Sequence, residues 1–151
     1  DAQIVAVIEC NLDDCSPQIM AYTAEQLLTY GALDVTITPC LMKKGRPGYK
    51  LSVVAEPESR DSLSQIVIKE TTTLGVRSYM CERLTLTREF REVKIGEHTI
   101  RVKIARDSTG KILNMHPEYD DCTRVAHKSG LALKEVILDS LKLAQTITDS
   151  L

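Results

Sequence analysis

Apolar residues in the first part of the chain follow two different periods, which predict strands and a helix in turn. Residues 4–8 are apolar at every position, which is typical of a central strand covered on both faces. Ser16 and Pro17 supply a helix N-cap and a first helical residue, and apolar residues recur at helical spacing after them. Strict alternation over 33–38 predicts a half-buried strand that we expect to end at Pro39.

The elements predicted next complete one domain. Alternating apolar residues predict a third strand at 51–55, a helix opens at 57–59, and a fourth extended segment covers 76–86. The resulting order is β-α-β-β-α-β, in which two helices lie on one face of an antiparallel sheet. We therefore predict a ferredoxin-like sandwich for residues 1–87.

Residues 88–151 are predicted to form a second, smaller domain. Apolar residues alternate on both sides of Gly96-Glu97, which predicts a β-hairpin with a two-residue turn. A short strand and two amphipathic helices are expected after the hairpin. The fold class predicted for the whole chain is α+β.

Composition and charge narrow the class of protein. A hydrophobic content of 43% over 151 residues is enough for a buried core. The formal net charge of −2 argues against a nucleic-acid-binding protein and favours a local patch for a small anionic ligand. No apolar run is long enough to span a membrane, so we expect no membrane partner.

The cysteines predict the redox compartment of the protein, and the first residues bear on whether the sequence is a fragment. Five cysteines are scattered without a Cys-x-x-Cys pair, so we expect neither a disulfide framework nor a zinc site, and we favour a reduced, cytoplasmic setting. The chain begins Asp1-Ala2-Gln3 without a methionine or a recognisable signal peptide. We expect it to be a fragment of a longer protein.

The stretch 41–48 places three cations among two glycines and a proline, between two predicted strands. The glycines permit close approach to a ligand, and the proline limits flexibility. Arg46 can bind a phosphate through two parallel hydrogen bonds, while Lys43 and Lys44 act as mobile point charges. The stretch predicts an anion-binding loop; the alternative is a charged hairpin connection that only keeps the protein soluble.

Two further clusters are candidate partners of this loop. Asp13 and Asp14 follow the first strand, and their carboxylates suit Mg²⁺ or Mn²⁺, although negative charge before a helix also stabilises that helix by itself. Thr72, Thr73 and Arg77 offer hydroxyl and guanidinium donors to phosphate oxygens. The alternative for the threonines is a fraying helix end whose hydroxyls bind backbone carbonyls.

A fourth cluster, at 114–121, combines an imidazole, carboxylates and a phenol at a predicted helix start, and Glu118 belongs to it. Such a mixture could bind a base, a metal or a ribose, but acidic residues at a helix start are also favourable in themselves. The three histidines are too dispersed for a metal-ligand motif, and no nucleophile elbow or Walker loop is present. We therefore assign no catalytic residue.

Five segments in this order resemble the C-terminal half of the LarC-type nickel-insertion proteins, which act in making the nickel-pincer cofactor of lactate racemase. These segments are Asn11–Pro17, Gly31–Val35, Met42–Gly48, Glu70–Arg77 and Pro117–Cys122. They run across nearly the whole chain, and five motifs in register are far more specific than any one of them.

The resemblance implies a CTP-dependent cyclometallase that inserts nickel into pyridinium-3,5-bisthiocarboxylic acid mononucleotide and turns CTP into CMP and pyrophosphate. The C-terminal half of this family is expected to bind CTP with Mg²⁺ or Mn²⁺, to form a homo-oligomer, and to place a β-grasp-like subdomain after the ferredoxin-like domain. The nickel site is expected to lie in the N-terminal half of the family, outside this chain.

On this resemblance, the metal ligands are Asp13 and Asp14, and the nucleotide-binding residues are Lys43, Lys44, Arg46, Thr72, Thr73, Arg77 and Glu118. We expect the first βα turn and the 41–48 loop to lie at opposite ends of neighbouring strands, so that a second subunit would complete the site. Two other functions stay open: a nucleotide-sensing domain without chemistry, and an oligomerisation domain whose basic loop packs against another chain.

Overall fold

The computed structural model describes residues 2–148. It divides into two compact units, of which the first spans Ala2–Leu84 and the second begins at Thr85. The first unit contains β1 (Ala2–Leu12), α1 (Pro17–Thr29), β2 (Asp34–Leu41), β3 (Pro47–Ala55), α2 (Arg60–Glu70) and β4 (Arg77–Leu84), with 3₁₀ turns at Lys43–Gly45 and Pro57–Ser59. The second contains β5 (Thr87–Ile95), β6 (His98–Arg106), β7 (Ile112–Pro117), α3 (Tyr119–Ser129) and α4 (Leu133–Thr148). The predicted order β-α-β-β-α-β is confirmed.

The four strands of the first unit form one antiparallel sheet in the order β2-β3-β1-β4. Both helices pack on the same face of this sheet. Leu27 of α1 and Leu63 of α2 share one buried core with Ile8 of β1 and Leu51 of β3. Burial of each such side chain contributes roughly 1.5–3 kcal/mol to the stability of the unit.

The other face of this sheet is formed by the strand residues of opposite parity, because side chains alternate between the faces of a strand. We call it the helix-free face, and it is defined by the pairs Val7↔Val54, Glu9↔Ser52 and Asn11↔Lys50 between β1 and β3. Polar side chains therefore replace apolar ones on this face toward the end of β1.

Two expectations about individual strands have different outcomes. β1 is an inner strand whose residues 5–10 are all buried, as its apolar run predicts. The expectation that Pro39 ends its strand is wrong, because β2 continues to Leu41 and Pro39 pairs with Tyr49 of β3. β2 lies at the edge of the sheet, where proline is tolerated because only one side of the strand has a partner.

The second unit pairs β5, β6 and β7 into an antiparallel sheet. The predicted hairpin is present, with Gly96 in its turn at a φ of 59°. Val93 and Ile100 of the sheet share a buried core with Val125 of α3 and Val136 of α4. The α+β class is confirmed, and among the helices of residues 2–148 none combines the length and apolar character that a membrane crossing requires.

A buried carboxylate ties α3 to β6 within the second unit. The side chain of Asp121 is 4% exposed and accepts hydrogen bonds from the backbone N–H and the Nε of Arg101, at 3.1 and 2.8 Å. Arg124 adds an ion pair at 2.9 Å. The hydrogen bonds from Arg101 outweigh the effect of burial and hold the pKa of the Asp121 carboxyl well below its ordinary value of 3.8.

Asp121→Asn should lower the free energy of unfolding at neutral pH by about 1–3 kcal/mol, because Arg101 and Arg124 lose a charged acceptor. The difference from wild type should shrink as the pH falls below 3.8, since the unfolded carboxyl then takes up a proton while the folded one stays ionised. Urea unfolding at neutral and acidic pH measures this, with the exposed Asp120→Asn as control. An equal difference at both pH values would contradict the prediction.

Gly48 lies where β3 passes close to the end of β1. A Cβ at this position would lie 2.5 Å from the Sδ of Met42 and 2.7 Å from the carbonyl oxygen of Leu12. Gly48→Ala should therefore destabilise the first unit by about 1–3 kcal/mol. Gly75→Ala is the matched control, because a Cβ there meets nothing within 4 Å. Denaturant midpoints compare the two variants, and equal midpoints would be inconsistent with this close approach.

Candidate functional site

Three loops of the first unit meet at one end of its sheet. β1 ends at Leu12, which pairs with Tyr49 of β3, and β4 begins at Arg77, which pairs with Glu9. The first βα turn, the β2–β3 loop and the α2–β4 loop therefore adjoin one another. The expectation that the first two lie at opposite ends is wrong, because antiparallel pairing sets the end of β1 beside the start of β3.

The β2–β3 loop is closed by a hydrogen bond of 2.8 Å from the backbone N–H of Met42 to the carbonyl of Arg46. Lys44 and Gly45 adopt left-handed conformations, with φ of 62° and 69°. For a lysine this conformation costs on the order of 1 kcal/mol. Lys43, Lys44 and Arg46 are exposed, and within residues 2–148 neither lysine ammonium has an ion-pair or hydrogen-bond partner.

The two aspartates each contact one of the other loops. A carboxylate oxygen of Asp13 lies 3.4 Å from a guanidinium nitrogen of Arg46. Asp14 accepts a hydrogen bond of 2.6 Å from the hydroxyl of Thr72. Neither aspartate is the N-cap of α1, because the Oγ of Ser16 accepts a backbone N–H of the first turn. The aspartates therefore join the loops to one another.

The threonines of the α2–β4 loop have separate roles. The hydroxyl of Thr71 donates to the carbonyl of Val67 at 2.7 Å, as expected of a fraying helix end. The hydroxyl of Thr73 donates to the carbonyl of Gly75 at 2.8 Å and so closes its own loop. Of these three hydroxyls, the one that reaches another loop belongs to Thr72.

Arg77 belongs to a cluster of charges on the helix-free face. Its Nε and one terminal nitrogen donate to Glu9 at 3.0 Å and to Asn11 at 2.8 Å. The Nζ of Lys50 lies 3.2 Å from the other oxygen of Glu9, and the Ser52 hydroxyl donates to that oxygen at 3.4 Å. Two cations thus share one carboxylate, which leaves one positive charge in excess.

The carboxylate of Glu9 is ionised in this cluster although its side chain is only 11% exposed. Burial by itself would raise the pKa of Glu9, but the hydrogen bonds and charges of Lys50 and Arg77 outweigh it, and the net effect is a lowered pKa. Glu9 therefore fixes two cations beside each other, a few residues from the loops.

Sequence reasoning missed Glu9, Asn11 and Lys50. The available signal was the alternation of β1, since a polar residue at 9 or 11 shares its face with Val7 and not with the core. The register of β1 against β3 and β4 could not be predicted from the sequence. This register brings Lys50 and Arg77 to the carboxylate of Glu9.

Glu118, the remaining candidate for nucleotide binding, belongs to the second unit. It occupies the N-cap position of α3 without a capping hydrogen bond from its side chain. Its carboxylate lies 3.0 Å from the Nζ of Lys103. The structure gives Glu118 an ion pair within its own unit, and its role toward a nucleotide stays a prediction.

The carboxylates at the loops suit a metal site that is completed by a phosphate ligand. Within residues 2–148, no three His, Cys, Asp or Glu side chains are grouped so that they could hold a metal ion. Asp13 and Asp14 offer two carboxylates beside exposed cations. Mg²⁺ in nucleotide sites takes one or two carboxylates and completes its shell with phosphate oxygens and water. The residues therefore fit a metal ion that binds together with a polyphosphate.

Comparisons with known proteins identify the family. The family model described as nickel insertion protein matches residues 1–137. A relative from Dictyoglomus thermophilum is 42% identical over 139 residues, which make up 92% of this chain and 36% of the relative. The pyridinium-3,5-bisthiocarboxylic acid mononucleotide nickel insertion protein of Clostridium acetobutylicum is 41% identical over 130 residues, which make up 86% of this chain and 31% of that protein.

A solved structure extends the similarity to the fold. It is LarC2, the C-terminal domain of a cyclometallase involved in the synthesis of the NPN cofactor of lactate racemase, in its apo form. The match has 36% identity and a TM-score of 0.89, and it covers 96% of this chain and 99% of that one. The chain spans about a third of the length of the curated relatives it matches. As the resemblance of its motifs predicts, the chain belongs to the nickel insertion protein family.

Proposed function

We propose that this chain is the CTP- and metal-binding C-terminal half of a CTP-dependent nickel insertase, a cyclometallase that completes the nickel-pincer cofactor of lactate racemase. Membership of the family and the similarity to LarC2 support the role in nickel insertion. The observation that carries the nucleotide role is the meeting of three loops in one subunit through the contacts Asp13–Arg46 and Asp14–Thr72.

The phosphates of CTP would bind between the β2–β3 loop and the α2–β4 loop. Lys43 and Lys44 are exposed cations without a partner in the described chain, so they can bind an anion without breaking an existing contact. Arg46 would exchange Asp13 for a phosphate at little cost, because an exposed ion pair contributes at most about 1 kcal/mol. The hydroxyls of Thr72 and Thr73 would add hydrogen bonds to phosphate oxygens.

Asp13 and Asp14 would hold the Mg²⁺ or Mn²⁺ that accompanies the nucleotide. When bound, such an ion neutralises phosphate charge and stabilises the pyrophosphate that leaves when CTP becomes CMP. Released from Arg46 by the incoming phosphate, the carboxylate of Asp13 becomes available as a ligand. Arg77, held in place by Glu9 and Asn11, contributes a fixed positive charge at the start of β4, near the end of the sheet where the loops meet.

The other features of the proposal concern the full-length protein. Nickel and the pyridinium-3,5-bisthiocarboxylic acid mononucleotide are its substrates, and the nickel site is proposed to lie outside this chain. The full-length protein is proposed to be cytoplasmic and to form a homo-oligomer. The oligomer now depends on the family resemblance alone, because the loops meet without a second subunit.

Calorimetric titration with CTP and Mn²⁺ tests the nucleotide role. Lys43→Ala/Arg46→Ala should weaken CTP binding by tenfold or more, since a charge-assisted hydrogen bond contributes about 1.5–3 kcal/mol. Arg88→Ala/Lys128→Ala, which removes the same two residue types from exposed positions of the second unit, should leave binding unchanged. Failure of the folded wild-type chain to bind CTP would overturn the nucleotide role and favour an oligomerisation domain.

A second titration tests the metal role. Wild-type protein should bind CTP more tightly with Mn²⁺ than in excess EDTA, and Asp13→Asn/Asp14→Asn should lose most of this difference, because neutral amides are weak ligands of hard cations. The variant should keep its helix content, since Ser16 supplies the cap of α1. An undiminished effect of Mn²⁺ on the variant would show that other groups hold the metal.

A further inference from the structure

The sheet of the second unit has one face beneath its helices and one face turned away from them. The core residues of β5 and β6 lie on the first face, together with α3 and α4. Residues of the opposite parity form the other face, which we call the Phe90 face. It is defined by the pairs Phe90↔Lys103 and Arg88↔Ala105, and by His116, which is opposite Lys103 on β7. A phenyl ring, an ammonium group and an imidazole therefore share one row across three strands.

Phe90 is the one phenylalanine of the chain, which has no tryptophan, and it is 54% exposed. A single exposed apolar residue is common on protein surfaces, so its neighbours decide what it can bind. The residue diagonal to it on β6, Ala105, carries only a methyl group. A flat ligand can therefore lie against the ring and over the adjacent strand.

Two cations flank the ring. The Nζ of Lys103 lies 5.5 Å from the ring centroid of Phe90 and 3.0 Å from the carboxylate of Glu118. Arg88, two residues before Phe90 on the same face of β5, is exposed, and within residues 2–148 its guanidinium has no ion-pair or hydrogen-bond partner. The phenyl face thus already attracts a positive charge, and the guanidinium beside it is available to an anion.

This combination favours a ligand that is positive at its ring and negative at its edge. A neutral aromatic ring would use Phe90 but neither cation, whereas an inorganic anion would use the cations but not the phenyl face. A pyridinium ring has a permanent positive charge, and thiocarboxylic acid groups on it are ionised at neutral pH. The pyridinium-3,5-bisthiocarboxylic acid mononucleotide, which we propose as a substrate of the full-length protein, carries both.

We infer that the Phe90 face binds the pyridinium ring of this mononucleotide, with Phe90 against the ring and Arg88 and Lys103 on its two thiocarboxylates. The inference rests on the proposed role in nickel insertion, and it assigns the organic substrate to residues other than those proposed for CTP. The ring would take the place of the Lys103 ammonium over Phe90. This exchange costs little, because the side chains of Lys103 and Glu118 are both partly exposed to solvent.

An NMR titration of the chain with 1-methylpyridinium-3,5-dicarboxylate tests the site. This probe keeps the charged ring and places two carboxylates where the substrate has its thiocarboxylates. The comparison probe, benzene-1,3-dicarboxylate, has the same anionic groups at the same spacing on a neutral ring. The ratio of the two affinities therefore reports what the protein gains from the charge of the ring.

Two variants have different expected effects. In Phe90→Leu, the ratio of pyridinium to benzene affinity should fall about threefold or more, because leucine keeps an apolar contact but has no π face for a cation. In Arg88→Gln, both probes should bind about fivefold or more weakly, since both lose a charge-assisted hydrogen bond. Tyr22→Leu on α1, which removes an aromatic ring of similar exposure, is the matched control and should change neither affinity.

The outcomes separate this inference from the proposed function. A folded wild-type chain that binds CTP but neither probe, or an affinity ratio that Phe90→Leu leaves unchanged, would overturn the site and leave the nucleotide role intact. A chain that binds the probes as expected but does not bind CTP would overturn the nucleotide role alone.

Sedimentation velocity of wild type and Phe90→Leu tests whether this face instead joins two copies of the chain. We expect the same sedimentation coefficient for both proteins, because the ring is assigned to a small ligand. Dissociation of the variant into smaller species, with no change in the ratio of probe affinities, would identify the Phe90 face as a contact between copies and overturn the ligand site.

Discussion

Antiparallel pairing of β1 with β3 is the constraint on which the first unit depends. The register sets Leu12 against Tyr49 at one end and Ala6 against Ala55 at the other. It sends one set of side chains into the core beneath the helices and the other set to the helix-free face, and a slip of one residue would exchange the two sets. The same register carries the first βα turn to the β2–β3 loop, so a core-forming interaction also assembles the site.

The ion pairs at this end of the sheet are of two kinds: those of Glu9 hold their cations in place, whereas the pair of Asp13 and Arg46 can open to bind a ligand. Glu9 is nearly buried and holds Lys50 and Arg77, and removing its partners would leave a carboxylate without compensation. The pair of Asp13 and Arg46 is longer and more exposed, so either partner can be released to a ligand at small cost. A polyphosphate with its metal ion matches this arrangement, since the anion can take the arginine and the cation the aspartate.

Much of the fold could be predicted from the sequence, because β1 is a continuous apolar run, α1 has apolar residues at helical spacing, and the hairpin around Gly96 has an alternating apolar pattern. The end of β2 could not be predicted from the sequence. The effect of Pro39 depends on whether its strand lies at an edge, which is a property of the whole sheet. The basic loop and the two aspartates were recognisable as candidates by residue type. Their contact was not, because it follows from strand order and register between segments far apart in the chain.

The most direct measurement is a crystal structure of the chain with CTP and Mn²⁺, in which anomalous scattering locates the metal ion. We predict that the ion lies within coordination distance of Asp13 or Asp14. The phosphates should contact Lys43, Lys44 or Arg46 of the same subunit. A metal ion and nucleotide bound away from these three loops, or loops that contact different nucleotides, would contradict a site assembled within one subunit.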